Sequence, residues 1–187
     1  MQIKQTPVSR KEFVTDFIRL FKNEVKEVTN KDFQEYLLPP GSSSFENFLE
    51  KCTQCYDCIS VCPNESIRVM HDIDLAVNEY PVIMPKENPC YLCEDFPCID
   101  ACKTDALTIE NSHNPLGAIG IIKENCFAYQ DHYCSSCINS CPKAGLAIYA
   151  DEKGHPIINK NECDGCGICI NVCPSEKPAI RILKERN

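Results

Sequence analysis

Tryptophan is missing from the 187 residues, and aromatic residues make up only 8% of the chain. With so few large rings, a chain of this size buries a modest apolar core, so something besides apolar packing must hold it together. Long apolar runs are missing too. Nothing approaches the roughly 18 apolar residues of a spanning helix, which argues against a membrane span. Positive charge is in deficit, with 19 Lys and Arg against 27 Asp and Glu and a formal net charge of −8. That balance argues against a nucleic-acid partner, which would require a basic face. There is no glycine-rich nucleotide loop and no recognisable nucleophile–base arrangement, so the chain reads as non-catalytic. The opening residues, "MQIKQTPVSRKEFVTDFIRLFKNEV", carry no complete export signal. Lys11 stands where the second arginine of a twin-arginine pair belongs, and Asp16, Arg19, Lys22 and Glu24 interrupt any apolar stretch. The expectation is a soluble, cytoplasmic protein.

Cysteine, by contrast, is abundant, with 16 residues. Such a frequency marks either a disulfide scaffold or a metal-binding protein. In a reducing compartment disulfides are disfavoured and clustered thiols mean metal. The cysteines fall into four quartets with none left over: Cys52, Cys55, Cys58, Cys62; Cys90, Cys93, Cys98, Cys102; Cys126, Cys134, Cys137, Cys141; and Cys163, Cys166, Cys169, Cys173. The first and fourth share one spacing. The second has a longer middle gap, and the third a longer first gap, "FAYQDHY".

The repeat extends beyond the thiols. After each quartet comes an alternating apolar pair: Ile67 and Val69, Leu107 and Ile109, Leu146 and Ile148, Ile180 and Ile182. Before three quartets run "PVIM", "AIGII" and "PIIN". Alternation predicts short strands, so the unit is strand, cysteine loop, short helix, strand. Turn signals such as "NSHNPLG" at 111–117 and "DEKGHP" at 151–156 join the units. The fold class expected is α+β: tandem ferredoxin-like βαβ units preceded by a helical extension over residues 1–45, with the cysteine domain over 46–187. Phe13, Phe17, Leu20, Phe21, Val25 and Val28 share one helical face of the extension, which suits a docked partner. Ser43 with Glu46 forms a capping box for a short helix leading into Cys52.

Spacing also indicates the chemistry. The run C-x2-C-x2-C-x3-C-P is the bacterial ferredoxin pattern for 4Fe–4S clusters, in which the fourth thiol serves the other cluster of a pair. Pro63, Pro142 and Pro174 follow fourth cysteines and set the chain direction there. Gly165 and Gly167 let the backbone approach the sulfurs. Zinc fits less well, because four-cysteine zinc sites are usually two C-x2-C pairs separated by a longer loop. The irregular second and third quartets leave a three-iron or lost cluster open, but each keeps four thiols. Four 4Fe–4S clusters held by all sixteen cysteines are therefore expected. Each site carries about −2 when oxidised, which would take the formal −8 of the chain to about −16.

Four stretches, "LPPGSSSFENFLEKCTQCYDCISVCP", "NPCYLCEDFPCIDACKTDAL", "CFAYQDHYCSSCINSCP" and "CDGCGICINVCP", resemble in order the motifs of the NapG/MauM ferredoxin-type proteins. The resemblance spans about residues 38–183. It implies an electron-transfer protein with four 4Fe–4S clusters. More broadly, the chain is similar to four-cluster subunits that serve molybdenum and tungsten oxidoreductases. Those relatives imply a catalytic oxidoreductase subunit as one partner and a flavin subunit or soluble carrier as the other. A free shuttle and an accessory maturation protein are the alternatives. Two departures stand out: Lys103 replaces the proline after Cys102, and the export signal of the family is absent. Consecutive pairing would join quartets one with two and three with four, whereas related four-cluster subunits pair their clusters in a nested way, and the matching first and fourth spacings favour nesting here. Nesting would place Cys62 with Cys163, Cys166 and Cys169, and Cys173 with Cys52, Cys55 and Cys58.

Other residues receive plainer readings. His132 lies in a quartet already supplied with four thiols, and His71, His113 and His155 fall in turns and should be solvated. Tyr129 and Tyr133 should pack, or else flank a cluster. Lys103 either offsets cluster charge or is simply exposed.

Overall fold

A computed structural model describes residues 33–72 and 75–183, and residues from Phe33 onward form one compact unit. The amphipathic segment 10–28 lies outside the described residues. The described residues form strands of two to four residues, most of them at the apolar stretches: β1 (Phe33–Gln34), which no apolar pair indicated, β2 (Ile67–Val69), β3 (Pro81–Ile83), β4 (Ala118–Ile121), β5 (Ile148–Ala150), which leaves Leu146 outside and exposed, β6 (Pro156–Ile158) and β7 (Ile180–Leu183). β2 and β3 form an antiparallel hairpin, as do β5 and β6. A third sheet has the order β1-β7-β4, all antiparallel. Among the described residues no helix is long and apolar enough to cross a membrane.

The second half follows the expected unit closely. β4 precedes the third quartet, the β5–β6 hairpin joins the third quartet to the fourth, and β7 returns beside β4 with Ile119 opposite Ile182. The hairpin turn is built by Asp151, whose Oδ1 accepts the N–H groups of Lys153 at 2.9 Å and His155 at 2.8 Å. Gly154 then supplies a φ of +86°. His155 is not solvated, because its ring bonds Asp151 and stacks on Tyr129 with centroids 4.3 Å apart.

In the first half one expected strand is replaced. After the second quartet the chain enters a 3-10 turn at Ile109–Asn111, and Ile109 is 56% exposed. The cause is local: Asn111 donates to Thr108 Oγ1, Asn114 donates to Asn111 Oδ1, and such bonds compete with a strand ladder. Leu107 stays buried, and the Thr108 N–H bonds the Gly41 carbonyl at 2.9 Å. The helix before Cys52 runs over Phe45–Lys51 and is capped by Ser44, whose Oγ accepts from Asn47 N at 3.2 Å. Ser43 is one residue too early to cap.

Residues 33–40 belong to the same compact unit as the cysteine loops. β1 adds to the sheet of the second half. Three residues on, Leu37 exchanges two backbone hydrogen bonds of 2.8 Å with Ile83 in the first half. The Leu37 side chain is fully buried and also packs on Gly117, where any Cβ would fall 2.6 Å from Leu37 Cδ2. One short segment thus fastens both halves. Truncating it, Leu37→Ala, should lower stability by about 2–5 kcal/mol. An unshifted midpoint in anaerobic denaturant unfolding would show that this contact does not hold the halves.

Candidate metal centres

In the regular loops the backbone turns back and forth between right- and left-handed conformations. Gly165 and Gly167 have φ of +67° and +84°. Gln54 and Tyr56 occupy the same positions in the first loop at +57° and +65°, and Leu92 and Phe96 flank the second at +48° and +41°. Non-glycine residues in this region carry strain of about 1–3 kcal/mol each and persist where the surroundings demand the shape. Alternation of this kind points successive N–H groups inward and makes a concavity for an anion. Leu92 N–H donates to Cys90 Sγ at 3.5 Å, and Ser66 N–H donates to Cys62 Sγ at 3.3 Å. The Asn64 amide lies 3.6 Å from Cys93 Sγ. Glycine was legible as special in the fourth loop. Equal spacing from the cysteines was the available signal for Gln54, Tyr56, Leu92 and Phe96.

All sixteen cysteines are free thiols, and the fold brings them together in four sets of three plus one. One cavity is lined by Cys90, Cys93 and Cys98 together with Cys62 from the preceding loop. A second is lined by Cys163, Cys166 and Cys169 with Cys141, and a third by Cys126, Cys134 and Cys137 with Cys173. Cys102 completes the pattern, because its charge acts on both Cys52 and Cys58. The fourth thiol of each loop therefore faces its neighbour's set. The pairing is consecutive, loop one with two and loop three with four, so the nested expectation is corrected. Short hairpins impose this arrangement: β2–β3 connects the first two loops directly, and β5–β6 the last two.

The electrostatics show what such a set requires. Burial, reinforced by the neighbouring thiolates, pushes Cys58 up to about 12. Burial likewise lifts Cys90 to about 12, against the pull of the Leu92 N–H. It also lifts Cys98 and Cys137 to about 11, and Cys169 higher still. Cys102 is lowered, because the N–H groups of Thr104, Leu107 and Ala106 outweigh its burial. Crowded, buried thiols ionise together only against a cationic core, which deprotonates a coordinating thiol outright. Four thiolates around such a core is the donor set of a 4Fe–4S cluster, and the residues fit it.

Two ion pairs mark the exchange in duplicate. Lys103, next to Cys102, pairs with Asp57 of the first loop at 3.0 Å while remaining 82% exposed. Lys143, two residues after Cys141, pairs with Asp164 of the fourth loop at 2.6 Å. Lys103 is thus both exposed and engaged, and the Lys143–Asp164 pair joins residues that no local pattern links. His71, His113 and His132 are exposed, the last lying edge-on to Phe127. Tyr129 packs, whereas Tyr133 is 98% exposed and does not.

Comparison with known proteins agrees with this geometry. The 4Fe-4S binding domain family, Fer4, matches residues 48–68 and 156–176, which hold the first and the fourth cysteine loops. Ferredoxin-type protein NapG of Escherichia coli (strain K12) is 30% identical over 79% of this chain and 70% of that protein. Methylamine utilization ferredoxin-type protein MauM of Paracoccus denitrificans (strain Pd 1222) is 33% identical over 78% of this chain and 70% of its own. The chain belongs to the NapG/MauM family of ferredoxin-type proteins. Ferredoxin-type protein NapF of Escherichia coli (strain K12) is also similar, at 30% identity over 73% of this chain and 79% of that protein. No solved structure matches.

The exchange has a direct test. Cys62→Ser should disturb the site of Cys90, Cys93 and Cys98, and leave that of Cys52, Cys55 and Cys58 intact. Iron content and electron paramagnetic resonance spectra of the variant, set beside those of Cys93→Ser, should show the same signal altered in both. Alteration of the signal lost in Cys166→Ser would restore the nested pairing.

Proposed function

We propose that the sixteen cysteines hold four 4Fe–4S clusters, and that the chain is a non-catalytic electron-transfer subunit linking a catalytic oxidoreductase to a flavin subunit or soluble carrier. The observation that supports the count is the completeness of the four thiol sets. Cys62, Cys141 and Cys173 each lie against the three thiols of the neighbouring loop, and Cys102 acts on Cys52 and Cys58 of the first. A cluster supplies one-electron redox capacity at each site. The residues of the chain space the sites, exclude water and direct N–H groups at sulfur, and such groups tune potential. A tungsten- or molybdenum-dependent catalytic partner rests on the broader resemblance to four-cluster subunits of those enzymes. A cytoplasmic setting is part of this reading, because a reducing compartment keeps clustered thiols available to metal.

Native mass spectrometry of the anaerobically purified protein tests this reading. A mass carrying four clusters with a co-purifying large subunit is the expected result. A lone chain with four clusters would favour a free shuttle, and zinc in place of iron would overturn the assignment. Stripping iron with a chelator should unfold the domain, because metal binding and folding are coupled in small metal-built domains. A circular dichroism spectrum unchanged after iron removal would contradict that coupling.

A further inference from the structure

The two halves meet through particular loops. The Cys90 N–H donates to the Cys166 carbonyl at 3.2 Å, so the second and fourth cysteine loops touch backbone to backbone. A Cβ on Gly167 would stand 2.4 Å from Pro85 Cβ, a separation that only glycine permits. Asn171, at the end of the fourth loop's helix, donates to the carbonyls of Lys86 at 3.1 Å and Glu87 at 3.2 Å, just before the second loop. The first and third loops are held differently. Tyr56 and Asp57 of the first loop bond Glu79 and Lys103 within the first half. Tyr129 of the third loop and its neighbour Asn125 bond Pro156 and Pro178 within the second half. Both loops also reach solvent: Cys55 is the one exposed thiol of the sixteen, and Tyr133, beside Cys134, is 98% exposed.

From these contacts we infer that the four sites stand in space in the order first, second, fourth, third, joined across the halves at Cys90 and Cys166, so that the first and third loops are the two ends of the array. The order follows from two kinds of contact. Exchange of the fourth thiols couples the first loop to the second and the third to the fourth. The backbone contact then couples the second to the fourth. Order in space therefore departs from order in sequence, and this inference rests on the proposed occupancy of the loops.

Magnetic coupling between reduced sites reports the order without any turnover. In the dithionite-reduced holoprotein, Cys163→Ser should disable the fourth site and leave the third as an isolated, uncoupled signal beside a coupled first and second. Cys134→Ser should disable the third and leave three coupled sites with no isolated signal. The reverse pattern would overturn the order and restore one that follows the sequence. Should the cysteine variants fail to fold, Asn171→Asp keeps every thiol and sets a carboxylate against the Lys86 and Glu87 carbonyls. It should retain full iron content while coupling across the halves falls, and undiminished coupling there would equally overturn the order. Absence of any cluster signal in the unsubstituted chain would instead defeat the proposed cofactor, whatever the order of the loops.

Discussion

Burial of crowded thiolates is the constraint on which the rest of the structure depends. Each set gathers four sulfurs where burial alone already disfavours charge, and each thiolate makes its neighbours harder to ionise. Only positive charge among them reverses that balance. The apolar core is correspondingly thin. Cys58, Cys90, Cys98 and Cys137 are counted among its buried residues, packed with Ile67, Ile99, Ile148 and Ile180. Strands of two to four residues cannot bury enough surface to stand alone, so the thiol sets take the place that a larger core would fill.

The same constraint explains the backbone. Left-handed residues are costly unless something requires inward-pointing N–H groups, and here they recur at equal distances from the cysteines of three loops. The third loop departs from this, inserting a 3-10 turn at Phe127–Gln130 and placing its left-handed residue at Asp131. Its longer first gap thus becomes a folded turn of chain, while its thiols still converge with Cys173. Exchange of the fourth thiols, reinforced by Lys103–Asp57 and Lys143–Asp164, turns single loops into two interlocked pairs. Those exposed ion pairs are screened by salt and matter more for register than for stability.

Resemblance to the NapG/MauM proteins matches what the loops show, and the two sources inform different questions. The shared motifs identify a ferredoxin-type chain. Packing of the loops shows how such a chain divides into halves. The segment from β1 to Leu37 holds those halves together, pairing its backbone with β7 on one side and with Ile83 on the other.

The sequence by itself determined the grouping of sixteen thiols into quartets, the fourth cysteine that leaves its own loop, and nearly all the strands. These are legible because ligand spacing and alternation are local properties of the chain. Gly165 and Gly167 were legible for the same reason. Only the tertiary structure decided which loop each fourth cysteine reaches, that Leu107 is followed by a turn instead of a strand, and that Cys90 meets Cys166. Matching spacings in the first and fourth quartets reported the shape of a loop and suggested a partnership, but partnership is set elsewhere. It follows from the short hairpins that bind neighbouring loops together, and from backbone contacts between segments 76 residues apart, 90 and 166, that no local pattern encodes.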